Sequence, residues 1–188
     1  MKTSDKTKSI VLTAFFAAVI YLGIKAFRIP MPAAFGTPFL HFGHIFIMLA
    51  ILCLGGKRAT IAGVLGLLLF DLLNGFLHAI PNVLFCTIVR CLATGAIYAL
   101  LKKKAAGDAK KEYGVAVLSA AIYGVLSTAL DFAWSTVELM ILGSTFHAAL
   151  ITELASIPAT AINGVFTVIG IAILYVPVKK AYDRVAGV

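Results

Sequence analysis

Leu40–Gly75 reads LHFGHIFIMLAILCLGGKRATIAGVLGLLLFDLLNG. Two apolar runs flank the turn Gly55-Gly56-Lys57-Arg58, and Asp71 is the only acid in the stretch. A run that crosses hydrocarbon, a short basic turn and a returning run together make a membrane hairpin. A crossing helix needs about 20 apolar residues, and cytoplasmic turns collect Lys and Arg. Working outward in both directions, the same pattern repeats. Apolar spans fall near 9–27, 39–54, 58–77, 81–101, 113–142 and 148–178. The second is short. The fifth and sixth are long enough to tilt or protrude. Pro158 is expected to bend the sixth, with the freed backbone groups satisfied inside the bundle.

The totals agree with a bilayer as solvent. The chain is 61% hydrophobic and 13% charged, with a mean hydropathy of +1.02, against about 25% charged residues in soluble domains. One compact domain, 1–188, uses the whole length. The net charge of +8 sits in short blocks between apolar runs, which speaks for topology and anionic lipid rather than nucleic acid. Cys53, Cys86 and Cys91 lie in apolar segments without metal-type spacing, so they are read as free packed thiols. Lys2, Lys6 and Lys8 precede the apolar run from Ile10 to Gly23 without a clear cleavage site, so this run is read as a retained first helix.

The basic residues set the orientation. With the N-terminus inside, the two ends, the 55–58 turn and the 102–112 loop are cytoplasmic. They hold Lys2, Lys6, Lys8, Lys57, Arg58, Lys102, Lys103, Lys104, Lys110, Lys111, Lys179, Lys180 and Arg184, 13 of the 16 basic residues. Lys25 and Arg28 fall outside, and Arg90 lies within the fourth span. The expected fold is therefore an all-α integral membrane protein, a six-transmembrane-helix bundle with both termini cytoplasmic, in a cell membrane. The first outer loop, Arg28–Phe39, carries three prolines and a glycine, so it is not helix and forms either a cap or a lid. No repeat relates the two halves, against the inverted-repeat carriers.

Four of the eight acids, Asp71, Asp131, Glu138 and Glu153, fall within spans. Insertion scales put the cost of each at about 2.5–3.5 kcal/mol, so such groups line cavities, meet partners or reach an interface. At helical spacing, Asp71, Asn74 and His78 share one face of the third span, and Asn82, Cys86 and Arg90 one face of the fourth. Asp131, Trp134 and Glu138 share a face of the fifth, and Glu153, Ser156, Thr160 and Asn163 a face of the sixth. The direction of each span puts all four stripes in the outer half of the membrane, which predicts one outward-facing polar cavity under the first loop. His41 and His44 lie beside it. The plain alternatives are a structural Asp71–Arg90 ion pair, interfacial positions for Glu138, His41 and His44, and ordinary packing for Trp134. Ala14/Ala18, Ala59/Gly63 and Ala62/Gly66 are small-xxx-small pairs, suited to internal helix packing or to docking another membrane subunit.

No GxxxxGK[ST] loop, HExxH, paired Cys/His pattern or GxSxG elbow is present, so no ATPase, metal centre, cofactor or catalytic residue is expected.

The H-F-G at the end of the first loop resembles the substrate-binding S components of energy-coupling factor (ECF) vitamin transporters. So do the short second helix, the Gly-Gly-Lys turn, the third helix ending FDLLNG, and the outer turn His78-Ala79-Ile80-Pro81-Asn82. The resemblance is strongest over Phe39–Leu101, and the Ala14/Ala18 pair is similar too. It implies a vitamin bound tightly on the outer side. It also implies a separate transmembrane coupling subunit contacting Ala14 and Ala18, and two partner ATPases. The substrate-binding candidates are Asp71, Asn74, His78, Asn82, Arg90, Asp131, Trp134, Glu138, Glu153, Asn163, His41 and His44. Several acids and one tryptophan favour a small aromatic ligand with a cationic or donor group. The branch most resembled is that for vitamin B6 compounds or hydroxymethylpyrimidine, with riboflavin and queuosine precursors open. The competing function is a self-sufficient proton-coupled carrier or channel using the intramembrane acids.

Overall fold

The computed structural model describes residues 3–31 and 39–187. Among these, six α-helices follow in order: α1 (Thr3–Ala26), α2 (Gly43–Leu54), α3 (Gly56–Asn74), α4 (Ile80–Ala105), α5 (Ala109–Ile141) and α6 (Phe146–Ala186). Local sequence explains their ends. Gly75 closes α3 with φ +81°, a left-handed conformation natural to glycine. Pro81 sits in the first turn of α4, where its missing N–H leaves no bond unmade. The Asp108 carboxylate accepts from the N–H groups of Lys110 and Lys111 and caps α5. Pro158 and Pro177 both lie inside α6, which continues through them.

Two expectations change. The second span was expected from residue 39, but Phe39–His41 form strand β2, antiparallel to β1 (Arg28–Pro30), and the helix starts at Gly43. An apolar Phe-Leu pair reads the same in strand and helix. The first outer loop thus begins and ends as a two-stranded ribbon, and its middle, 32–38, lies outside the described residues. In addition, α1, α4, α5 and α6 are the helices long and apolar enough to cross a membrane. α2 has 12 residues, about 18 Å at 1.5 Å per residue, and α3 carries Lys57, Arg58 and Asp71 within 19 residues.

α2 is apolar all round and sits in the middle. It packs on α1, α3, α4, α5 and α6, burying Ile45, Ile47, Met48, Leu49, Ala50, Ile51 and Leu52. A helix of that pattern belongs in a core rather than at a surface. The outer helices expose large apolar side chains such as Val11, Phe15, Leu69, Val125, Ile141 and Ile173, as a lipid-facing surface does. The third-span pairs serve internal packing. Ala59 and Ala62 are fully buried. A Cβ on Gly63 would lie 3.1 Å from Thr87 Cγ2 on α4, and one on Gly66 2.7 Å from the Ala17 carbonyl oxygen on α1. Ala14 and Ala18 are exposed instead.

α5 and α6 cross at a glycine pair: a Cβ on Gly124 would lie 2.9 Å from Gly164 Cα. Backbone on both sides leaves nothing able to yield. Gly124→Leu is expected to lower stability by about 1–3 kcal/mol, the usual range for overpacking, seen as a reduced melting temperature in detergent. Gly114→Ala, with nothing within 4 Å of the added methyl, should match or exceed the parent. Equal melting temperatures for the two variants would refute the close crossing.

Candidate functional site: a polar cavity at one end of the bundle

At one end of the molecule α1, α3 and α5 finish and α2, α4 and α6 begin. A cavity of about 400 Å³ opens there. Its wall takes residues from every helix and from β2. Of the sequence candidates, His41, His44, Asp71, His78 and Asn82 line it, and so do Arg90, Asp131, Glu138, Glu153 and Asn163. The four helical stripes therefore do meet in one chamber. Their binding role is a separate question from their position.

Asn74 and Trp134 are not among the lining residues. Asn74 Oδ1 accepts from Lys25 Nζ at 2.6 Å and its Nδ2 donates to the Phe70 carbonyl at 2.8 Å, tying the end of α1 to the end of α3. Trp134 Nε1 donates to Glu138 Oε2 at 3.2 Å, and its ring lies 5.4 Å from that of Phe85. The indole orients an acid of the cavity from outside it. Helical spacing names the face on which a residue lies, and a side chain at its margin is free to turn towards a neighbouring helix.

The charges are unequal: four carboxylates and one guanidinium. Arg90 is only 4% exposed, and its Nη1 lies 3.8 Å from Asp131 Oδ2. The arginine pairs with Asp131, not with Asp71 as the simple alternative supposed. Its Nη2 donates to Thr87 Oγ1 at 3.4 Å, and the guanidinium carbon sits 5.5 Å from the centre of the Tyr123 ring. Arg90 Nε and Nη1 have no hydrogen-bond acceptor, nor do Asp71 Oδ2 and Glu153 Oε1 have a donor. Asp71 and Glu153 are each 5% exposed. Buried polar atoms are nearly always satisfied in proteins, so these groups mark where a polar guest or ordered water belongs.

The histidines form a connected set. The Gly43 N–H donates to His41 Nδ1 at 3.0 Å, which leaves the proton of a neutral ring on Nε2. His41 and His44 stack at 4.7 Å, and His44 Nδ1 lies 3.0 Å from the Tyr123 hydroxyl. Asn163 takes the part of a neighbouring strand. Its Nδ2 donates to the Phe39 carbonyl at 3.1 Å and its Oδ1 accepts from the His41 N–H at 3.4 Å, fixing β2 to α6.

Sequence reasoning missed an aromatic wall. Phe39, Phe70 and Phe76 line the cavity with centroids 5.8–6.0 Å apart. Aromatic residues are common throughout this chain, so nothing in their spacing singled these out. It also missed Tyr123, which joins Arg90 to His44. Among the described residues no group of three or more His, Cys, Asp or Glu side chains is placed to hold a metal ion.

The model of the family "ECF-type riboflavin transporter, S component" matches residues 4–182. ThiT from Listeria monocytogenes has a similar structure, with a TM-score of 0.66 at 18% identity, covering 96% of this chain and 98% of that one. The S-component for biotin from an ECF-type ABC transporter aligns with a TM-score of 0.60 at 21% identity over 93% of this chain and 94% of that one. At these identities the two structures speak for the fold alone. No curated protein matches the chain.

Removing one partner of a buried ion pair leaves an uncompensated charge. Asp131→Ala is expected to cost about 3 kcal/mol, the low end for such a break because the Asp131 side chain keeps 27% exposure. Adding Arg90→Met should restore part of the loss. Thermal unfolding of the single and double variants in detergent is the measurement, and no recovery in the double variant would count against the pairing.

Proposed function

The chain belongs to the S components of ECF transporters, a multi-pass membrane family of substrate-binding subunits rather than enzymes, and we propose from that premise that this cavity is its vitamin site. The single observation behind the proposal is the meeting of polar groups from α3, α4, α5 and α6 in one chamber with unsatisfied buried donors and acceptors. Its size falls within the range of roughly 300–1,000 Å³ usual for small-molecule sites. We take the topology to be six spans with cytoplasmic ends, which puts the mouth on the outer side. The basic residues at the opposite end, Lys57, Arg58, Lys102 to Lys104, Lys110, Lys111, Lys179, Lys180 and Arg184, support that orientation.

The ligand we favour is a small heteroaromatic vitamin or precursor bearing an amine or ring nitrogen. Vitamin B6 compounds, pyridoxamine above all, and hydroxymethylpyrimidine fit that description. Four carboxylates against one guanidinium favour a cation, and the Phe wall favours a flat ring. Riboflavin is the second reading. It is the substrate in the description of the matching family, and the chamber exceeds what a single substituted six-membered ring fills. The carrier or channel reading fares worse. A smaller polar recess of about 30 Å³ leads on to Thr167, but the buried residues past it include Gly170, Ile171 and Tyr175 of α6 and Ala116 and Ala120 of α5.

We assign the partners as a transmembrane coupling subunit, docked against the exposed Ala14 and Ala18 of α1, and two ATPases. Isothermal titration of the purified protein with a vitamin panel, without ATP, tests the site. We expect one-to-one binding of pyridoxamine or hydroxymethylpyrimidine; riboflavin alone would select the second reading, and silence across the panel would refute the vitamin site. Asp71→Asn or Glu153→Gln should weaken pyridoxamine binding by about tenfold or more, the scale of a hydrogen bond to a charged group, and weaken pyridoxine less. Ala18→Trp should leave binding intact and abolish uptake by cells holding the complete transporter. Normal uptake would remove α1 from the docking surface.

A further inference from the structure

Arg28, on β1, is exposed and unusually placed. Its guanidinium carbon lies 5.3 Å from the centroid of Phe39, 5.8 Å from that of Phe70 and 5.8 Å from that of Phe76. The three rings are themselves 5.9, 6.0 and 5.8 Å apart. The cation and the three ring centres thus form a nearly regular tetrahedron. Aromatic faces carry negative potential, and rings that share one focus make a cage for ammonium or guanidinium groups. Among the described residues no carboxylate pairs with Arg28, so the rings, not an ion pair, hold its charge.

The position of this cage matters. All three rings line the polar cavity, while Arg28 does not. The next residue after Phe70 is Asp71, whose buried Oδ2 lacks a donor. Both line the cavity, so a cation seated on the rings from the cavity side has an unsatisfied carboxylate in the same chamber. Arg28 meets the rings alone, and Asp71 stays unpartnered with Arg28 in place. An arginine so placed engages the rings from outside the cavity and leaves the carboxylate unpaired.

We propose that Phe39, Phe70 and Phe76, with Asp71, form a cavity-side subsite for a cationic group, and that Arg28, seated on the same rings from outside the cavity, competes with a cationic ligand for their negative potential. The inference rests on the reading of this cavity as a ligand site but does not depend on which vitamin enters it. Arg28 then sets specificity: its charge on the shared rings opposes a ligand with a cationic nitrogen more than an uncharged ring of the same size.

The test uses tetramethylammonium as the probe, so that it stands apart from the vitamin panel. The protein carries 4-fluorophenylalanine, and 19F spectra in detergent are recorded during titration of the wild type, Arg28→Met, Arg28→Lys and the double variant Arg28→Met/Phe76→Leu. Arg28→Met keeps the length of the stem and removes the charge. It should bind the probe roughly two- to fivefold more tightly than the wild type, the factor expected for a cation over aromatic faces at an exposed site. Arg28→Lys should stay close to the wild type, and the double variant should lose the gain. Matching melting temperatures establish that the variants are folded; should Arg28→Met fail to fold, Arg28→Gln takes its place. Equal or weaker binding by the charge-free variant, no probe binding by any variant, or a gain that survives Phe76→Leu would each overturn the proposal. A panel in which no vitamin binds, alongside the predicted probe results, would instead refute the vitamin assignment and leave the cation subsite standing.

Discussion

A single buried cation organises the binding end of this molecule. Arg90 brings a full charge into a site that leaves it only 4% exposed, where an isolated ion is costly and a paired one is tolerable. Asp131 on α5 answers the charge, Tyr123 offers its ring, and Thr87 takes one donor. Contacts then pass from side chain to side chain. The Tyr123 hydroxyl meets His44, His44 stacks on His41, and the backbone of His41 and Phe39 is held by Asn163. Phe39 belongs to the ring cage under Arg28. The chain of contacts runs from the inner end of the cavity to the first ribbon, so that the two arginines stand at its ends.

The bilayer explains why polar side chains from four helices converge here. Hydrocarbon offers no hydrogen bonds, so each polar stripe must turn away from lipid. Stripes at one depth have one shared solution, a common chamber. The short α2 makes room for it. Because α2 starts only at Gly43, the space above its first turn is left to the ribbon and the histidines. Below, its apolar surface fills the interior, and glycines such as Gly124 and Gly164 let the outer helices close around it.

Helix number and polar faces were legible in the sequence because both follow from strong contrasts. Charge blocks stand out against apolar runs, and the 100° helical step places Asp71, Glu138 and Glu153 on definite faces. Partner choice was not legible. Asp71 and Asp131 were equally available to Arg90 on spacing alone, and the decision depends on how α4 meets α5. Asn74 and Trp134 share their stripes' faces yet turn to Lys25 and Glu138. The ring cage gave no signal at all, since its members come from a strand, a helix and the 3-10 turn entrance, with no common period. Strand β2 was hidden for a related reason: three residues are too few to reveal a period of two.

Helix α1 connects the two proposed surfaces of the protein. Phe16, Ile20 and Ile24 are buried on one face, and Ile24 lines the cavity. Ala14 and Ala18 are exposed on another face of the same helix. α1 is further tied to α3 by Lys25 and Asn74 and continues, after Phe27, into the strand that carries Arg28. A ligand on the rings that Arg28 shares therefore acts beside the residue two positions beyond the end of α1, while the small residues proposed to meet the coupling subunit lie two to three turns earlier on it. A helix transmits displacement along its axis more readily than it bends, so we propose that occupancy of the cavity and the pose of the alanine face are coupled through this element. The alanine face and the cavity-lining Ile24 share the same 24 residues, so the proposed link between occupancy and docking needs no long relay of side chains.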